Sequence, residues 1–151
     1  MSSRRRLTWT SLAVLALVGL LGCGERVPRF PADRFPADAW RGEAVPLPLG
    51  RVEQDTLDVA AGDHTDWRSL HAGRTGQLVL SLRLYRDQQA PRQGGHLQIL
   101  NPHKVNVLAL ELLPEQEAYE VEIPVLRPGV WLVGLSLRGG RLVYEMKASW
   151  R

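Results

Sequence analysis

Four histidines, sixteen acidic residues and one cysteine are the side chains from which this chain could build a reactive centre. Asp63, His64, Asp66 and His71 fall close together, with His96 and His103 further on. Zinc takes three or four converging N, S or O ligands. These histidines have neither an HExxH nor an HxH spacing, so solvent-facing loop positions are the better reading. Loop oxygens suit calcium, which makes Asp58, Asp63 and Asp66 its candidate ligands. An EF-hand-like acidic series is absent, and no resident metal or other cofactor is expected. Ser69, Ser81, Ser136 and Ser149 lie in predicted strands, none of them in a GxSxG elbow. No GxxxxGK or GxGxxG phosphate loop occurs. Glu120 and Glu122 alternate with Tyr119 and Val121, the pattern of a solvated strand face and not of paired catalytic carboxylates. No catalytic residue is expected.

Cys23 stands alone. One cysteine forms no internal disulfide, no zinc cluster and no CxxC redox pair. The charge is equally local. The chain of 151 residues carries a formal net charge of +3, from 19 Lys+Arg against 16 Asp+Glu. Arg4, Arg5 and Arg6 account for all of the excess, because no acid precedes Glu25. Without residues 1–22 the chain has equal numbers of basic and acidic side chains. The basic pI therefore implies no nucleic-acid partner.

Those three arginines open a segment with the parts of an export signal. A positive start is followed by the apolar run Leu7 to Leu21 and by Gly22, a small residue before the cut. The run is shorter than the roughly 20 residues a spanning helix needs. Leu20-Leu21-Gly22-Cys23 resembles the bacterial lipobox. That resemblance implies a diacylglycerol group on the Cys23 sulfur, cleavage before Cys23 and acylation of its new amino group. Two or more acyl chains anchor stably where one does not, at about 0.8 kcal/mol per buried methylene. Residue 24 is Gly and not Asp, which by the same resemblance implies the outer membrane. The expected organisation is a lipoprotein signal peptide (1–22), a lipidated Cys23 with a Pro-rich tether (23–50), and a β-sandwich domain (51–151).

The tether carries Pro28, Pro31, Pro36, Pro46 and Pro48, which favour extended backbone. It also carries a direct duplication, Arg29-Phe30-Pro31-Ala32-Asp33 then Arg34-Phe35-Pro36-Ala37-Asp38. Two copies of five residues do not make a solenoid. They read as linker duplication, or as a docking motif anchored by Phe30 and Phe35. Trp40 is placed to pack back on the domain.

Beyond Arg51 the apolar residues alternate, the strand period. Leu78, Leu80, Leu82 and Leu84 form one such series; Tyr119, Val121 and Ile123 another; Leu142, Tyr144, Met146, Ala148 and Trp150 a third. Val130 to Leu137 is apolar on both faces, which predicts a central strand. Turn signals separate the runs at Gly94-Gly95, Asn101-Pro102, Pro114-Glu115 and Arg127-Pro128-Gly129. Arg138-Gly139-Gly140-Arg141 reads as a tight hairpin. Seven or eight short antiparallel strands with no helical period predict an all-β sandwich, with a closed barrel as the alternative.

The order of motifs along residues 53–151 resembles the bacterial pre-peptidase C-terminal domain. Gly62-Asp63-His64-Thr65-Asp66-Trp67 is similar to its Gly-Asp…Asp-Trp opening, and Gly76 to Leu82 to the glycine-led strand that follows. Leu97-Gln98-Ile99-Leu100-Asn101-Pro102 resembles its next strand and Asp/Asn-Pro turn. Leu126-Arg127-Pro128-Gly129-Val130-Trp131 resembles its Pro-Gly-aromatic strand, and Leu142 to Met146 its last strand. The resemblance implies a jelly-roll-like β-sandwich that serves as an accessory module, often attached to secreted peptidases. Asp66, Trp67, Pro128 and Gly129 are its structural motif. Asp66 is expected to accept backbone donors of the adjoining turn, and Trp67 to cover the end of the core. The expected function is a non-enzymatic envelope lipoprotein that binds protein or polysaccharide. A structural component of an envelope or secretion complex is the alternative, and a small hydrolase ranks last.

Overall fold

The computed structural model describes residues 41–86 and 93–151. Cys23, the signal segment, the duplicated Phe30 and Phe35 motif and Trp40 lie outside them.

Alternation along the chain becomes two packed sheets. The strands are β1 (Val45–Pro46), β2 (Val52–Asp58), β3 (Thr65–Ala72), β4 (Gly76–Arg86), β5 (Gly95–Leu100), β6 (Asn106–Leu112), β7 (Ala118–Val125), β8 (Gly129–Leu137) and β9 (Arg141–Trp150). One sheet runs β1-β3-β8-β5-β6 and the other β2-β9-β4-β7. Nine strands form, one more than the upper expectation, because the two-residue β1 adds an edge. β1 is also the exception to antiparallel pairing: it lies parallel to β3, Val45 opposite Arg68 and Pro46 opposite Ser69.

The core is the layer between the sheets. On β4, Leu78, Leu80, Leu82 and Leu84 are buried while Arg83 is exposed. On β7, Tyr119, Val121, Ile123 and Val125 point in, and Glu120 and Glu122 point out. Each fully buried Leu or Ile contributes roughly 1.5–3 kcal/mol of apolar transfer. Leu is the commonest residue of this layer, with Ile, Val, Ala, Met, Tyr and Trp beside it. β8 is the central strand that its two apolar faces predicted, with β3 on one side and β5 on the other.

Two expectations change. The turn Arg138–Arg141 joins β8 of one sheet to β9 of the other, so it crosses between layers and is not a hairpin. Its glycines suit a sharp reversal in either case; what decides is the partner each flanking strand selects. Only β5 to β6 stays within one sheet, and this frequent crossing gives the jelly-roll-like path. The sandwich also begins before Arg51. Leu47 is 2% exposed in the core, its N–H donates to the Ser69 carbonyl at 2.8 Å, and the Gly50 N–H donates to Ala148 at 2.7 Å. Residues 41–50 thus pass from one sheet to the other as part of the domain. Pro46 fits there because an edge strand need not donate on its outer side.

A second, smaller apolar cluster covers the outer face of the five-stranded sheet: Trp67, Leu100 and Leu132, with Ala44 against them. A Cβ on Gly134 would fall 2.6 Å from the Trp67 ring, so the indole lies directly on the β8 backbone. The Arg41 guanidinium sits 4.9 Å above the same ring. Trp67 therefore caps the outside of the sheet and not the end of the core. Its position on β3, out of phase with Leu70, dictates this.

Candidate functional site

The Gly-Asp…Asp-Trp segment divides its acids between separate tasks. Asp58 ends β2 and caps the 3-10 turn Val59–Ala61, accepting from the N–H groups of Ala60 and Ala61. It fills the turn role expected of Asp66. Asp63 is buried, with its N–H donating to the Asp58 carbonyl at 3.0 Å. Asp66 turns into the layer between the sheets. There the Tyr144 hydroxyl donates to Asp66 Oδ2 at 2.7 Å. Arg68 donates to the same hydroxyl oxygen, from Nη2 at 2.8 Å and from Nε at 3.2 Å, and its Nη2 also bonds Asp55 on β2. Asp66 and Arg68 come from one sheet; Asp55 and Tyr144 come from the other.

The electrostatics follow from this enclosure. Burial pushes the Tyr144 phenol well above its ordinary range; the nearby Asp66 charge adds to this, and Arg68 works against it. Tyr144 therefore keeps its proton and uses it as the donor to Asp66. Burial opposes the Arg68 charge, but Tyr144 and Asp55 outweigh it and hold the guanidinium above its usual pKa. The cluster is a polar clasp between layers. Cleaving one partner out would leave a buried charge without compensation, which is the expensive case.

The calcium candidates do not assemble. Asp58 is engaged by the turn and Asp66 by Tyr144, and among the described residues no three His, Asp, Glu or Cys side chains gather as a metal site. The histidines are dispersed: His71 is exposed on β3, and His96 Nε2 lies 3.0 Å from Arg138.

Pro128 and Gly129 belong to a different structure. Gly129 opens β8 at φ 151, and a Cβ there would fall 2.7 Å from the Pro102 ring. This approach brings the β7–β8 turn against the β5–β6 hairpin. The hairpin is held by Asn101, whose side chain accepts from the His103 and Val105 N–H groups at 2.9 and 3.0 Å. Where these turns meet, a cleft of about 330 Å³ opens, lined by Pro102, Val107, Leu108, Ile123, Leu126 and Trp131 among others. Most of its surface is carbon. Trp131 is 4% exposed, and its Nε1–H has no hydrogen-bond partner among the described residues. Leu126, at the mouth, is 80% exposed. Both residues lie in the Pro-Gly-aromatic motif of the sequence, but that motif marked them as strand structure and not as the lining of a cleft. Leu126 beside Arg127-Pro128-Gly129 was the available signal: a large apolar side chain placed in a turn.

Two packed sheets joined by layer-crossing turns define a jelly-roll-like β-sandwich. No protein-family model matches the chain, and no curated protein matches it. Among solved structures, it is similar to the pre-peptidase C-terminal domain of a collagenase from Bacillus anthracis. The TM-score is 0.52 at 14% identity, over 70% of this chain and 93% of that one. The likeness is one of fold, and it agrees with the resemblance in motif order.

Proposed function

We propose that this chain is a non-catalytic, membrane-anchored envelope lipoprotein whose β-sandwich works as a binding module for protein or polysaccharide. The observation that carries the reading is the fold likeness to an accessory domain that covers nearly all of the compared chain. The polar interior is consistent with it. The half-buried Asp55 and the buried Asp66, Arg68 and Tyr144 bond one another across the sheets, which is the work of a scaffold. The lipobox Leu20-Leu21-Gly22-Cys23 supports attachment through Cys23, with Gly24 favouring the outer membrane. The prolines of residues 24–40 then set the domain away from the lipid surface.

Membrane fractionation of the full chain in a Gram-negative host tests the anchor. Wild type is expected in the membrane fraction, and Cys23→Ser as a precursor or a soluble protein. A Cys23→Ser protein that stays membrane-bound at the mature size contradicts the reading.

A further inference from the structure

The cleft between the β5–β6 and β7–β8 turns is built to take something, and its chemistry narrows what. Its walls are Pro102, Val107, Leu108, Ile123, Leu126 and Trp131. A sugar would find few hydrogen-bonding groups on such walls, whereas a large apolar side chain would be well matched. The Trp131 indole N–H is buried without an acceptor, a state that costs roughly 1–3 kcal/mol.

Arg127 is the fixed cation among the lining residues. Arg127 and His103 line the opening, and Lys104 follows His103 at φ 61, held by its N–H bond to the Asn101 carbonyl at 2.8 Å. The one acid in the lining, Glu122, is bound to Arg151 and to Gln77. Its charge is therefore answered by Arg151, which leaves Arg127 to meet an incoming carboxylate. The mouth itself is apolar: Leu126 and Val107 are both exposed large side chains. Asn101 and the Pro102–Gly129 contact hold both turns, so the cleft exists before any occupant arrives.

We propose that this cleft docks an acidic segment of a protein partner, which inserts one large apolar side chain and sets a carboxylate against Arg127. The proposal rests on the binding-module reading and chooses protein over polysaccharide within it. It names the pocket, the anchor type and the sign of the flanking charge.

The test uses the full chain in lipid nanodiscs, which avoid free detergent, and follows the indole N–H resonance of Trp131 by NMR. Trp131→Phe assigns that resonance by removing it. The probes are capped peptides containing Phe-Asp, Phe-Asn or Ser-Asp. The Phe-Asp peptide is expected to shift the resonance saturably, because the Trp131 ring lines the cleft, with Phe-Asn weaker by roughly tenfold, as for the loss of one charge-assisted contact. Ser-Asp should give no shift. Leu126→Asp should abolish the effect with an unchanged melting temperature, since the side chain it alters is exposed. No shift at millimolar Phe-Asp, or an equal shift with Ser-Asp, overturns the proposal. A shift that appears only after Phe30 and Phe35 are both changed to Ser also overturns it, because the chain's own segment would then be the occupant. Leu126→Asp leaves Cys23 intact, so loss of the cleft and loss of the anchor are read separately.

Discussion

Tyr144 is the residue on which the two layers depend most directly. Its hydroxyl is a donor to Asp66 and an acceptor from Arg68 at once, and it is 1% exposed. Tyr144→Phe keeps the ring and removes both bonds, leaving a buried carboxylate short of a donor. Urea denaturation should show a loss of about 1–3 kcal/mol. Arg68→Met strands Asp55 and Asp66 together, and the loss should be larger, about 3–5 kcal/mol. The pH dependence has a definite sign. In the unfolded chain Tyr144 titrates near 10.0, while burial keeps it protonated in the fold. Above that value the folded state holds a proton that the unfolded state has released. Stability is therefore full below about pH 10 and falls as pH rises beyond it. Tyr144→Phe should flatten the alkaline slope of unfolding free energy; an unchanged slope would show that Tyr144 is not the titrating group.

At the scale of elements, two close backbone contacts fix the architecture. β8 carries Trp67 on its outer face only because residue 134 is Gly, and Gly134→Ala drives a Cβ into the ring. A loss of about 1–3 kcal/mol by denaturant titration is expected, as for other overpacked sites. A change within error would mean that the indole moves aside freely. The strands themselves were legible: the alternations of β4 and β7 and the two apolar faces of β8 translate directly into burial. What was not legible depended on partners distant in sequence. Gly139-Gly140 permits a sharp turn whether the chain returns to the same sheet or crosses to the other, so local chemistry could not separate the two. β1 spans two residues, too few to show a period. Asp66 read as a turn residue because its neighbours are a turn, whereas its hydrogen-bond donor, Tyr144, lies six strands later on β9. The cleft is harder still to foresee, since it exists only where Pro102 meets Gly129.

For the whole molecule, the chain combines a neutral sandwich with a short basic start and a lone cysteine. All of the excess positive charge lies in Arg4, Arg5 and Arg6, where it would hold the start of an export signal on the cytoplasmic side. The sandwich takes up residues 41–50, so the proposed tether is the shorter stretch between Cys23 and Arg41. Under the proposed function, a module at the end of such a tether would sample partners near the membrane surface, and its apolar cleft would select among them. This account stands or falls with the anchor. Mass spectrometry of the N-terminal peptide of the mature protein tests it most directly. The account predicts a chain that begins at Cys23, with a diacylglycerol thioether on its sulfur and an acylated amino group. A mature chain that begins elsewhere, or an unmodified Cys23, would contradict it.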